Sequence, residues 1–168
     1  GYPVPLGDVA LLEDGAGGAF LAWSDPRTGQ GDIYAQRLDG GGQRLWGEDG
    51  VPIARAWWPF NTHQHPQLVP DGVGGAIIVW EEQRHDRPSV WAQRVNPAGE
   101  VLWQTDGVPV VYTDAYAMSP HAASDSAGGV FVAWHDFRGG AVALYLQRLG
   151  PDGAPLWARL LGRQVQFA

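Results

Sequence analysis

The chain of 168 residues contains no cysteine, no lysine and a single methionine. Without thiols it can form neither a disulfide nor a thiolate metal site, although that leaves the compartment open. All 11 basic residues are arginine, and 18 acidic residues outnumber them, for a formal charge of -7. An acidic balance argues against a nucleic-acid partner, which needs a basic footprint. No apolar run is long enough to cross a membrane as a helix, so no membrane partner is expected. The first residues do not read as a secretory signal. A nucleophile elbow, a phosphate-binding loop and a zinc-protease motif are missing too, and no cofactor is expected. Two residue types are abundant instead: 24 glycines, suited to tight turns, and 9 tryptophans, suited to large buried surfaces. Together they point to many short strands.

The glycines and tryptophans are ordered by an internal repeat. Gly17-Gly18-Ala19-Phe20-Leu21-Ala22-Trp23 returns as Gly74-Gly75-Ala76-Ile77-Ile78-Val79-Trp80 and as Gly128-Gly129-Val130-Phe131-Val132-Ala133-Trp134. Each copy continues into an acidic residue and an arginine: Asp25 and Arg27, Glu82 and Arg84, Asp136 and Arg138. Trp23, Trp80 and Trp134 lie 57 and 54 residues apart, and Gln36, Gln93 and Gln147 keep the same spacings. So do Trp46, Trp103 and Trp157. One unit of about 55 residues therefore fills the chain three times without a linker, in copies spanning roughly 4–56, 61–113 and 116–167.

Each copy reads as four short strands. The first is Val9 to Leu12, Pro66 to Val69 or Pro120 to Ala123, followed by an Asp and a glycine pair as a hairpin turn. The apolar run ending in tryptophan is the second strand. The third is Ile33 to Leu38, Val90 to Val95 or Leu144 to Leu149, where apolar and polar residues partly alternate. The last follows Gly50 and Gly107, as Val51-Pro52-Ile53 and Val108-Pro109-Val110. No helical periodicity competes, and the fold class is all-β. Four antiparallel strands per repeat with recurring tryptophans is the pattern of a β-propeller blade. A blade cannot bury both faces alone, so the two shared tryptophans are expected between blades. Burying one indole removes roughly 150–250 Å² from water, at most about 4–6 kcal/mol.

The order of apolar run, Trp-x-Asp-x-Arg, Ile-Tyr strand, Asp/Gly turn and Leu-Trp resembles the Asp-box repeats of sialidase-like propellers. Asp152 and Trp157 keep the family's spacing with Ala154 in its glycine position, while Asp39 and Asn96 stand seven residues before Trp46 and Trp103. The Gly42-x-x-x-Trp46 and Gly99-x-x-x-Trp103 spacing is similar to quinoprotein-type propeller repeats. Both resemblances imply a propeller. The sialidase one further implies an arginine cluster for a substrate carboxylate, with a tyrosine nucleophile and an acidic partner. No tyrosine here can be matched to that role.

Propellers usually close with 4–8 blades. Three blades per chain therefore imply a homodimer that makes a six-bladed ring, or the remainder of a longer propeller.

Residues shared by all copies are expected to be structural, and those present once are better functional candidates. The shared Asp25–Arg27, Glu82–Arg84 and Asp136–Arg138 pairs read first as ion pairs fixing the loop between strands two and three, and second as ligand contacts. The segment Trp57-Trp58-Pro59-Phe60-Asn61-Thr62-His63-Gln64-His65 occurs once. Trp57, Trp58 and Phe60 suit stacking on sugar rings or gripping a peptide, or else packing against a neighbouring blade. His63 and His65 have the i, i+2 spacing that puts two imidazoles on one strand face, and His121 could approach them from another blade. Two neighbours are too few for a metal site, and none is expected. The function expected is a non-catalytic binding or scaffold module recognising a carbohydrate or protein through its loop-rich face. The alternative is a sialidase-like glycoside hydrolase, or half of one.

Overall fold

The computed structural model of the chain describes residues 8–28, 31–56, 62–84, 87–113, 115–157 and 163–165. All regular structure among them is β. The strands β1 (Val9–Glu13), β2 (Ala19–Asp25), β3 (Asp32–Leu38) and β4 (Val51–Ala54) form the first sheet. The second holds β5 (Thr62–Pro70), β6 (Ala76–Arg84), β7 (Arg87–Val95) and β8 (Val108–Pro109). The third holds β9 (Ala117–Ser124), β10 (Val130–Asp136), β11 (Ala143–Leu149) and β12 (Arg163–Gln164). Each sheet is an antiparallel meander in chain order, an architecture that fits a β-propeller-like fold. The repeat register persists in three dimensions, with Trp23 opposite Tyr34, Trp80 opposite Trp91 and Trp134 opposite Tyr145.

The β5 and β9 strands start earlier than the apolar pattern predicts. Proline cannot donate to the ladder, so the pairing skips past Pro66 and Pro120 through bulges. The residue before each proline, His65 or Ser119, takes a left-handed backbone with φ of 52° and 55°.

Two devices repeat in all three sheets and explain the fixed spacings. At the hairpin, Asp14 Oδ1 accepts the backbone amides of Ala16 and Gly18, both at 2.8 Å. Its other oxygen takes Arg37 from β3 at 2.8 Å. Asp71 with Arg94 and Asp125 with Arg148 do the same. A Cβ on Gly18 would lie 2.1 Å from the Leu38 carbonyl oxygen, which explains the second glycine of the pair. In the β3 to β4 connection, Gln36 Oε1 accepts the amides of Arg37 and Trp46, and Nε2 donates to the Gly47 carbonyl. Gln93 and Gln147 repeat this staple, and both are fully buried.

The core lies between the sheets. Phe20, Ala22, Ile33, Ala35 and Ile53 of the first sheet pack with Ala76, Ile78, Trp80 and Val95 of the second. The opposite side of the second sheet (Ile77, Val79, Val90, Ala92) packs with Val130, Val132, Trp134 and Leu149 of the third. Alternate residues of β6 thus face opposite neighbours, which is why its run is continuously apolar. The second tryptophan of the first two repeats bridges forward: Trp46 Nε1 donates to the Pro97 carbonyl at 3.0 Å, and Trp103 Nε1 to that of Pro151 at 2.9 Å. Arg37 and Arg94 reach the same two carbonyls. Gly99 and Gly153 lie beneath the indoles, where a Cβ would come within 3.0 and 2.9 Å of ring atoms. The expectation that both shared tryptophans are buried between sheets holds for Trp80, Trp134, Trp46 and Trp103, whereas Trp23 and Trp157 are half-buried.

Candidate functional site

In an up-and-down meander, the β2–β3 loop and the connection leading to the next sheet emerge at one end. Backbone bonds confirm the proximity, since His63 N donates to the Gly31 carbonyl and Phe137 N to that of Tyr116. Of the expected site residues that are described, Asp25, Arg27, His63, His65, Asp136 and Arg138 lie at this end, where their surroundings differ sharply.

Asp25 and Asp136 are each the hub of a small cluster. Asp136 is fully buried and accepts the Trp134 indole N–H at 2.9 Å, the Arg138 backbone amide at 2.9 Å, and the Arg138 guanidinium at 2.8 and 2.5 Å. Asp25 makes the same bonds to Trp23 and Arg27. Burial pushes both carboxyls up, but the hydrogen bonds from the arginine and the indole outweigh it and hold them below the ordinary carboxylate range. The same carboxylates hold the guanidinium pKa values up. The guanidinium planes lie over tyrosine rings, Arg27 at 4.3 Å from Tyr34 and Arg138 at 4.2 Å from Tyr145. Each arginine is thus gripped on one edge and one face, and Arg27 Nη1 also lies 3.7 Å from Asp49. The reading of these pairs as loop-fixing ion pairs is the one the geometry favours.

The second sheet departs from this pattern. Glu82 is buried with its carboxylate 3.6 Å from His63 Nε2, and the His63 ring packs 6.0 Å from Trp80. Among the described residues Trp80 Nε1 has no hydrogen-bond partner, whereas its counterparts Trp23 and Trp134 donate to aspartate. The side chain of Arg84 is outside the description, as are Trp57, Trp58 and Phe60.

The histidines do not share a face. His63 is 2% exposed and turned toward Glu82, while the bulge between Gln64 and Gln67 redirects His65 toward Asp8 and Glu81, at 3.4 and 3.6 Å. His121 is exposed on β9 opposite Ala133, on the body of the sheet rather than at its loop end. Among the described residues, no group of three or more His, Asp or Glu side chains is placed to hold a metal ion. The chain matches no protein-family model and no curated protein.

An aromatic pair that the sequence reading passed over stands at the loop end of the third sheet. Tyr116 precedes β9 and Phe137 follows β10, and their rings meet edge-to-face at 6.4 Å. They are 47% and 39% exposed, beside Arg138, and Tyr112 is more exposed still. Phe137 occupies the position of Pro26 and Gln83 in the other copies. Its occurrence in one copy alone was the signal available.

Proposed function

We propose that the chain supplies three blades of a β-propeller, closed to a six-bladed ring by a second copy, and acts as a non-catalytic binding module. Its recognising face is the loop-rich end, and the ligand that best suits that face is a carbohydrate. The supporting observation is the exposed, edge-to-face Tyr116–Phe137 pair at this end. Rings held by each other lose little freedom on binding and offer apolar area for the faces of sugar rings.

A glycan array followed by calorimetry on the strongest hit tests it. The Tyr116→Ala, Phe137→Ala double variant is expected to lose binding at least tenfold while keeping its mass and thermal midpoint. Binding undiminished in that variant moves the site elsewhere, and an array with no hit removes the carbohydrate.

A further inference from the structure

The geometry points to the two outer sheet faces as complementary halves of one seam, filled head-to-tail by a second copy of this chain. This inference rests on the ring closure proposed above and specifies its chemistry. The two internal seams are built from the same positions. The leading side presents the Phe20, Ala22, Ile33 and Ala35 set, or Ile77, Val79, Val90 and Ala92 in the next sheet. The receiving side presents Ile78 and Trp80, or Val132 and Trp134. All of these are at most 2% exposed.

The third sheet carries a leading set that meets no sheet: Phe131, Ala133, Leu144 and Leu146 occupy the same repeat positions and are all only half-buried. The first sheet carries the unmatched receiving set, in which Leu21 and Trp23 are half-buried, and Val9 and Leu11 are 66% and 69% exposed. Val9, Leu21, Trp23, Gln36 and Leu38 line an open cleft of about 440 Å³, rimmed by Arg27, Arg44, Glu48 and Asp49.

The smaller contacts are split in the same way. Gly99 and Gly153 lie against the tryptophan of the preceding sheet, whereas a Cβ on Gly42 would touch nothing within 4 Å, although its φ of 79° matches theirs. Ser24 Oγ donates to the His63 carbonyl and Glu81 accepts the Ser119 amide, both across a seam, while His135 at that repeat position is exposed. Each outer face therefore has the shape that the other already accommodates twice within the chain. Such an interface is heterologous, and two copies of three sheets close it at six. In the closed ring, Trp157 covers Gly42 of the second copy, as Trp46 covers Gly99.

The test uses Leu21→Asp on the receiving face and Leu146→Arg on the leading face, with mass measured by light scattering at micromolar concentration. The unaltered chain is expected at twice the chain mass and each variant at the chain mass. An equimolar mixture of the variants is expected to return to twice the chain mass, because one unaltered leading face and one unaltered receiving face remain. That recovery also shows that both variants are folded. An unaltered chain that stays monomeric overturns the inference, and so does a ladder of larger species. A dimer that survives either single variant, or variants that do not recover on mixing, overturns it as well. Glycan binding by a monomeric chain would sink this seam and leave the loop-end site standing; a dimer with no ligand would do the reverse.

Discussion

Asp136 shows how much of the loop end hangs on one carboxylate. Its oxygens hold an indole, a guanidinium and a backbone amide, and the fully buried Trp134 indole cannot reach water once the acceptor is gone. Asp136→Ala is expected to cost about 3–5 kcal/mol, the scale for breaking a buried charge pair by removing one partner. Asp25→Ala should cost less, because Arg27 is 37% exposed and water can replace the lost bonds. Urea unfolding of both variants checks the order. The pH dependence follows from the lowered pKa values of both groups. In the unfolded chain they take up protons near pH 4, and in the folded chain only at lower pH. Their stabilisation is therefore complete above about pH 4 and is lost as the pH falls through the folded values. The thermal midpoint should hold from neutral pH to about pH 4 and then drop. Asp136→Asn should start lower and drop less steeply. A midpoint that falls equally steeply in that variant would place the acid sensitivity elsewhere.

At the scale of the strand, β6 and its tryptophan carry the largest load. Trp80 is fully buried between the first and second sheets, and Gly107 is pressed against its ring edge, where a Cβ would come 2.5 Å from Cη2. Trp80→Ala is expected to cost about 3–5 kcal/mol, the range for an aromatic lost from a core. Trp23→Ala, at the same repeat position but half-buried, should cost the isolated chain clearly less. Equal losses measured in urea would mean that the two positions are not in different environments. The strands themselves were legible in the sequence because alternation, glycine pairs and a fixed spacing all pointed to one meander. The bulges at Pro66 and Pro120 were less so, since a proline marks a break in pairing without saying which way the chain turns afterwards. That turn decides that His63 is buried and His65 is not, and spacing alone could not supply it. The glutamine staples were visible as register marks at Gln36, Gln93 and Gln147, but their role depends on a connection whose path the sequence does not encode locally. The Tyr116–Phe137 pair joins residues on either side of two strands, so only the folded sheet brings them together.

For the whole molecule, the question is whether the seams act independently or as a ring. Among the described residues, the second sheet is covered on both sides, while the first and third are each covered on one. A closed ring would give every sheet two covered sides, and the added burial would belong to the assembly rather than to the fold of one copy. Anything that binds only the folded state raises its apparent stability by mass action, and in the proposed ring the binding species is the chain itself. The thermal midpoint should therefore rise with chain concentration, by a few degrees over a hundredfold range for a domain of this size. Leu21→Asp removes one receiving face and should make the midpoint both lower and independent of concentration. Trp157→Ala should lower it at high concentration more than at low, because the proposed ring sets that indole against the second copy. Calorimetric scans across the concentration range decide the matter. A midpoint that stays constant in the unaltered chain would mean that its outer faces contribute nothing to one another's stability. A midpoint that rises equally in the Leu21→Asp variant would mean that the copies associate through some other surface, and the loop end would then have to be considered first.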